Sequence, residues 1–241
     1  MMSKGCLAAN DWICGEYLRT RGQELTDATI QHVGITAAAV GIGLLVALPL
    51  AVLARRWRPV APPLLALTTV LYTVPSLAML ALLVPILGIS VSVVITALVL
   101  YSLTILLRNI LAGLEGVPEE VREAARGMGY GPLRLLLTVE LPLAVPALMA
   151  GLRIATVSTI AMTTVGGIID YGGLGNLLFS GLDSVFKAQV LTASVLCVVL
   201  AVLADVLLLG VQRLLTPWTR ARAAAATPQS AAATPQTARA A

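Results

Sequence analysis

Long apolar runs alternate with short charged ones along this chain. Val33 to Ala54 carries no charge and stops at Arg55-Arg56-Trp57-Arg58-Pro59. No charged residue occurs from Val60 to Leu107. A membrane-crossing helix needs roughly 20 apolar residues, so that run is too long for one helix and suits two. The Pro85-Ile86-Leu87-Gly88 break divides it into a second span near 62–86 and a third near 90–111. A fourth span follows at about 143–165, then a Gly-rich stretch from Gly166 to Gly181, then a fifth span at about 188–211. The pattern predicts an all-α, polytopic membrane protein of about five transmembrane helices. Residues 1–29 form an N-terminal segment outside the membrane domain, and residues 30–215 form the membrane domain. The remainder, 216–241, is rich in Ala, Thr, Pro and Gln and repeats Ala-Ala-Ala-Thr-Pro-Gln at 224–229 and 231–236. Such a segment cannot bury a core and is expected to be a disordered tail.

Composition agrees. The chain is 58% hydrophobic and 12% charged, against about 25% charged for an ordinary soluble domain. Its formal charge is +4 with a single His, and the basic residues cluster in loops, which argues against nucleic acid as a partner and for the lipid bilayer. Residues 1–29 hold Lys4, Asp11, Glu16, Arg19, Arg21, Glu24 and Asp27 without the apolar centre of a cleaved signal, so the first span is expected to stay in the mature protein. Cys6, Cys14 and Cys197 form no CxxC pair, which argues against structural zinc. Cys6 and Cys14 can pair on an oxidising face or remain free thiols.

Basic residues also orient the spans. With the N-terminus outside, Arg55, Arg56, Arg58, Arg108, Arg122, Arg126, Arg134, Arg213, Arg220, Arg222 and Arg239 lie on the cytoplasmic side. Lys4, Arg19, Arg21 and Lys187 lie outside, a bias of eleven to four. That topology puts the C-terminus and the insert between spans three and four in the cytoplasm.

The insert is charged and helix-forming. Pro118 suits a first helical position, and Glu119 and Glu120 suit the positive end of a helix dipole. Val121, Ala124, Ala125 and Met128 recur at i, i+3, i+4 and i+7 as one apolar stripe, with Glu119, Arg122, Glu123 and Arg126 around the rest. Gly129 stands where a helix ends. Gly131-Pro132 turns the chain into a second short helix, Leu133 to Val139; Pro142 is expected to end it and to start the fourth span. The product is a helix–turn–helix knuckle, with Ala124 and Ala125 small enough for close approach by a partner. On periodicity alone, an amphipathic loop lying on lipid headgroups is an equal reading.

The order Glu123-Ala124-Ala125, Gly129, Val139, Leu141-Pro142 resembles the "EAA" coupling loop of bacterial ABC importer permeases. From about residue 31 to 213 the chain is similar to permease subunits of osmoprotectant importers, which carry glycine betaine, carnitine, choline or proline betaine. The carriers are Gln31-His32-Val33-Gly34-Ile35-Thr36, Leu48-Pro49-Leu50-Ala51, Tyr72-Thr73-Val74-Pro75-Ser76-Leu77-Ala78, Tyr101-Ser102-Leu103, Leu107-Arg108-Asn109 and Gly151-Leu152-Arg153-Ile154-Ala155. Ile168 to Asn176 is similar to the family's I-G-A-G-G-L-G-D, with Asp170-Tyr171 where Gly-Ala is usual and Asn176 where Asp is usual.

The resemblance implies the type I importer permease fold in a bacterial inner membrane. It also implies two copies of an ABC ATPase subunit, a second permease subunit (identical or related) and an extracytoplasmic solute-binding protein. Glu120, Glu123, Ala124, Ala125, Met128, Gly129 and Leu133 would meet the ATPase, with Pro132, Leu141 and Pro142 shaping the loop. A permease for methionine or another small polar solute is the alternative.

This chain has no Gly-Lys dipeptide for a phosphate loop, no HExxH and no Gly-x-Ser-x-Gly. No catalytic residue, cofactor or metal is expected on it, and ATP-Mg belongs to the ATPase. A membrane enzyme or a self-contained secondary transporter fits less well. Tyr72, Pro75, Ser76 and Tyr101 are candidates for the translocation path, since a quaternary ammonium prefers aromatic faces. The competing role of such a Tyr is helix packing. Pro75 is expected to kink span two and free nearby carbonyls. Arg153 is also a path candidate. It lies roughly 16 Å past Pro142, and Asp205 roughly 12 Å before Arg213 at the rise of a helix, so the two are at comparable depth and can pair. Gly172, Gly173 and Gly175 are candidates for an outer gate loop.

Overall fold

The computed structural model describes residues 5–218. The tail expectation for 216–241 therefore falls almost wholly outside the described residues. Ten α-helices follow one another: α1 Gly15–Thr20, α2 Gly22–Arg56, α3 Ala61–Thr73, α4 Ser76–Leu87, α5 Val91–Glu115, α6 Glu119–Gly127, α7 Pro132–Leu135, α8 Leu141–Thr163, α9 Leu174–Asp183 and α10 Lys187–Leu215. Four segments are long and apolar enough to cross a membrane, and the bent pair α3–α4 brings the number to five.

Central α5 packs against α2 and α8, with α3 and α4 covering another side. In a bilayer, helices associate through close packing rather than through the hydrophobic effect, so small residues mark the crossings. Ala39, Gly43, Ala47, Ala51 and Ala54 are buried along α2, and a Cβ on Gly43 would lie 2.4 Å from the Ser102 hydroxyl of α5. At the α5–α8 crossing a Cβ on Gly113 would meet Ala144 at 3.0 Å, and one on Gly151 would meet Asn109 at 2.3 Å. The last helix, α10, packs on α8 and α9 and leaves its other side open.

Several elements differ from expectation. The span beginning near 62 is not one kinked helix, since α3 and α4 meet at 98°. The chain breaks at Val74-Pro75, because proline lacks an N–H and restricts its predecessor to extended backbone; Val74 sits at φ −64°, ψ 127°. The break between spans two and three falls at Gly88, with φ +71°, while Pro85 remains inside α4. The second knuckle helix does not end at Pro142. Its four α-helical residues pass through a π-helical stretch, Leu136–Glu140, directly into α8, and Pro142 occupies the first turn of α8. Within this continuous helix its missing N–H removes one hydrogen bond to the preceding turn, the turn that takes the π-helical form.

The Gly-rich stretch folds compactly. A 3₁₀ turn, Thr164–Ile169, leads through Asp170 at φ +63° and Gly173 at φ +58° into α9. Backbone stacks on backbone: a Cβ on Gly175 would stand 2.1 Å from the Thr164 carbonyl, and one on Gly172 2.2 Å from the Gly167 nitrogen. At this end Cys6 and Cys14 form a disulfide. Asn10 binds the α9–α10 turn by donating to the Val185 carbonyl at 2.8 Å and accepting from the Lys187 N–H at 3.0 Å. Tyr17 meets Phe186 edge to face at 5.2 Å.

Gly151→Val puts a branched side chain into the α5–α8 crossing and is expected to destabilise the protein by about 3 kcal/mol. Thermal unfolding of the detergent-solubilised protein measures this, and an unchanged midpoint would show that the crossing is looser than described.

Candidate functional site

The knuckle is built by two local devices. α6 begins after Pro118, which stands at the N-cap rather than at the first helical position, with Glu119 and Glu120 in the first turn. It ends in a Schellman motif: the Tyr130 N–H donates to the Ala125 carbonyl at 3.1 Å and the Gly129 N–H to the Arg126 carbonyl at 2.9 Å. Gly129 sits at φ +82°, the left-handed conformation that this motif requires and that glycine adopts without a Cβ penalty.

One face of the knuckle is buried and the other open. Val121, Ala124, Met128, Leu133 and Leu137 are exposed, Met128 and Leu133 at 69% each. Glu120, Glu123, Gly129 and Pro132 are exposed beside them, while Leu141 and Pro142 are half-buried at the entry to α8. Ala125 departs from its expected role in partner contact: it is buried at 2%, on the side of α6 turned toward the bundle. Arg122, expected on the polar outer face, is buried too.

Arg122 and Glu140 form the joint of this region. The Arg122 side chain is 7% exposed and that of Glu140 8%, and Arg122 Nε lies 2.9 Å from Glu140 Oε1. Arg55, at the end of α2, donates to the same oxygen at 3.2 Å. Arg122 also donates to the Leu114 carbonyl at the end of α5, at 2.5 Å, and to Glu119 at 2.9 Å. Arg126 donates to the other Glu119 oxygen at 3.0 Å. The Arg122 and Arg126 guanidinium groups hold the Glu119 carboxyl below its usual range. Around Arg122 and Glu140, the joint ties α2, α5, α6 and the entry to α8 at one point. Its only sequence signal was the presence of opposite charges at the borders of spans one, three and four.

Within the membrane domain the path candidates separate into two places. At the α3–α4 break, Tyr72 and Tyr101 meet edge to face with centroids 6.0 Å apart. Tyr72 is 46% exposed, Pro75 is exposed, and Tyr101 is buried. The Tyr101 hydroxyl donates to the Val74 carbonyl at 2.5 Å, and the Val70 and Leu71 carbonyls are taken by the Thr73 hydroxyl and the Val74 N–H. Each of these carbonyls thus already accepts one hydrogen bond. Ser76 and Tyr101 share a cavity of about 10 Å³, no larger than a water needs. Arg153 lies elsewhere. Its Nε and Nη2 donate to the two Asp205 carboxylate oxygens, each at 2.8 Å, in a fork that links α8 to α10. The pair lines a recess of about 570 Å³ with Ala150, Ile154, Val157, Ser158, Ala201 and Val202.

At the opposite end of the bundle from the knuckle, Gly172, Gly173 and Gly175 are all buried. Asn176 closes their loop with both halves of its amide: Oδ1 accepts from the Gly172 N–H at 2.7 Å and Nδ2 donates to the Asp170 carbonyl at 2.8 Å. An aspartate at this position could make the first bond but not the second, so the asparagine suits the loop this chain forms.

Residues 39–221 match the family model described as "Binding-protein-dependent transport system inner membrane component". The chain is 37% identical to the choline transport system permease protein OpuBB of Bacillus subtilis (strain 168), over 84% of this chain and 93% of that one. It is 35% identical to the osmoprotectant import permease protein OsmW of Salmonella typhimurium, over 83% and 96%. It is 36% identical to the carnitine transport permease protein OpuCB of Listeria monocytogenes, over 83% and 92%. Among solved structures, a chain of the MetNI methionine ABC transporter in an inward-facing conformation superposes with a TM-score of 0.73 at 22% identity, over 82% of this chain and 98% of that one. This last likeness is one of fold.

Removing one partner of a buried ion cluster leaves the others uncompensated, so Glu140→Gln is expected to cost about 3–5 kcal/mol. Glu123→Gln, exposed on the same segment, is expected to stay within about 0.5 kcal/mol. Thermal unfolding of the two variants side by side checks the contrast, and equal effects would contradict the joint.

Proposed function

The chain belongs to the family of binding-protein-dependent transport system inner membrane components, and from that membership we propose that it is the pore subunit of an ATP-driven importer for a compatible solute. Glycine betaine, choline, carnitine or a similar quaternary ammonium compound would enter the cytoplasm through it. The observation that carries the solute class is the set of relatives at 35–37% identity over more than four fifths of the chain, named for choline, osmoprotectant and carnitine transport. The chain itself is a transport component rather than an enzyme.

ATP is hydrolysed on a separate ATPase subunit, two copies of which grip the knuckles of two permease subunits. The exposed strip Val121, Ala124, Met128 and Leu133, flanked by Glu120 and Glu123, is the surface offered to each. Closure of the ATPases pushes on α6, and the joint at Glu140 passes that push to α2, α5 and α8. A solute-binding protein delivers the solute at the other end, past the Gly172–Gly175 loop. The N-terminus faces outward and the C-terminus the cytoplasm. Two features support this orientation: the arginines concentrate at the knuckle end, and the Cys6–Cys14 disulfide lies at the other end, as an oxidising compartment allows. The exposed Tyr72 ring beside Tyr101 offers a cation an aromatic face, and the Arg153–Asp205 recess offers a polar wall within the membrane.

The test is uptake of labelled choline, glycine betaine, carnitine and methionine by the permease reconstituted with its ATPase and binding protein. ATP-dependent uptake of at least one quaternary ammonium compound is expected. Uptake of methionine with none of the other three would overturn the solute class and leave the permease role standing.

A further inference from the structure

His32 makes contacts that a neutral imidazole cannot satisfy. A neutral ring carries one N–H donor and one lone pair. Here Nδ1 lies 3.1 Å from the Gly172 carbonyl oxygen and Nε2 3.0 Å from the Ile160 carbonyl oxygen. A carbonyl only accepts, so both contacts are hydrogen bonds only when both nitrogens are protonated. With a neutral ring, one lone pair would face a carbonyl lone pair, in a site that is 0% exposed.

The surroundings compensate a cation by dipoles rather than by an ion. The Ile160 and Gly172 carbonyl oxygens both face the ring, and α8 continues past Ile160 into the 3₁₀ turn that leads to the loop. The charged groups on the elements packed here are Glu24, Asp27, Arg55 and Arg56 on α2, Arg153 on α8, Asp170 in the loop, Asp183 on α9, and Lys187, Asp205 and Arg213 on α10. None of the ion pairs among the described residues involves His32. The loop lies directly on the helix at this point, since a Cβ on Gly173 would come within 2.6 Å of the His32 backbone nitrogen.

We propose that His32 is a positioning residue of the outer gate: its doubly protonated ring latches the Gly172–Gly175 loop to α2 and to the end of α8, and loss of one proton releases the loop. The latch forms when the ring is charged, so it is present below the pKa of the latched ring and lost as pH rises through it. Its role in import rests on the transport function proposed above; the latch itself does not.

His32 is the one histidine of the chain, so nitrogen-15 histidine labelling reports on it alone. The experiment is solid-state NMR of the full chain in bilayers from about pH 5 to about pH 8, paired with hydrogen–deuterium exchange of residues 164–176 corrected for the intrinsic rate. Two protonated ring nitrogens are expected at the acid end, with loss of one proton at higher pH accompanied by faster exchange in the loop. In His32→Gln, which stays neutral, the exchange is expected to lose its pH dependence, and reconstituted uptake is expected to lose the pH dependence that the wild type shows. One bare nitrogen at every pH with a protected loop, or the same pH dependence of exchange in His32→Gln, would overturn the latch. If no quaternary ammonium compound is imported, the solute assignment fails while the NMR and exchange still decide the latch.

Discussion

A buried carboxylate held between two arginines is the constraint on which the rest of this structure depends. Glu140 and Arg122 are both almost fully withdrawn from water, and an ion so placed costs several kcal/mol unless its partners are in position. Arg55 arrives from the end of α2 and Arg122 from α6, while the Arg122 guanidinium also reaches the last turn of α5 through the Leu114 carbonyl. None of these elements can move far from the others without stranding a charge. The knuckle is therefore part of the membrane bundle in the mechanical sense, although its outer face is open to a partner. The π-helical passage from α7 into α8 has the same consequence, because no hinge intervenes between the knuckle and span four.

Small residues at the helix crossings extend that rigidity through the membrane. Gly43 against Ser102, Gly113 against Ala144 and Gly151 against Asn109 bring α2, α5 and α8 to distances at which a single added Cβ would collide. Helices in such contact move together or exchange between discrete packings rather than deform smoothly. A displacement at α6 thus has a stiff route to the far end, where His32 joins α2, α8 and the Gly-rich loop. The two ends of the bundle share a design, in that one buried side chain with several partners gathers elements distant in sequence.

The spans were legible because charge is excluded from them over long runs. The end of α6 was legible because Gly129 is the residue a left-handed C-terminus favours. Comparable depth, from the fixed helical rise, made an Arg153–Asp205 pair possible without choosing it over other partners, and the structure forms it. The buried joint was not legible: Arg55 and Glu140 are 85 residues apart, and Arg122 reads as one more surface charge until α2 is placed beside it. The right-angled break at Val74-Pro75 was underestimated, because proline sets the site of a bend while its size depends on packing, here including Tyr101 capturing the Val74 carbonyl. The packing of the Gly-rich stretch was not legible for a similar reason. Gly167, Gly172 and Gly175 have meaning only when their backbones are stacked, a contact that periodicity does not encode. Ala125 shares a stripe with Ala124 and Met128, yet the bundle takes the edge of that stripe for itself.

The measurement that tests the mechanical account most directly is the number of ATP molecules hydrolysed per solute imported, in the reconstituted complex carrying Arg122→Gln in the permease. If the joint transmits ATPase closure to the spans, the variant still stimulates hydrolysis through its intact outer knuckle face, but the ratio of hydrolysis to import rises several-fold over wild type. A complex that assembles, hydrolyses ATP and imports solute at the wild-type ratio would show that the push reaches the membrane by another route and would contradict the account.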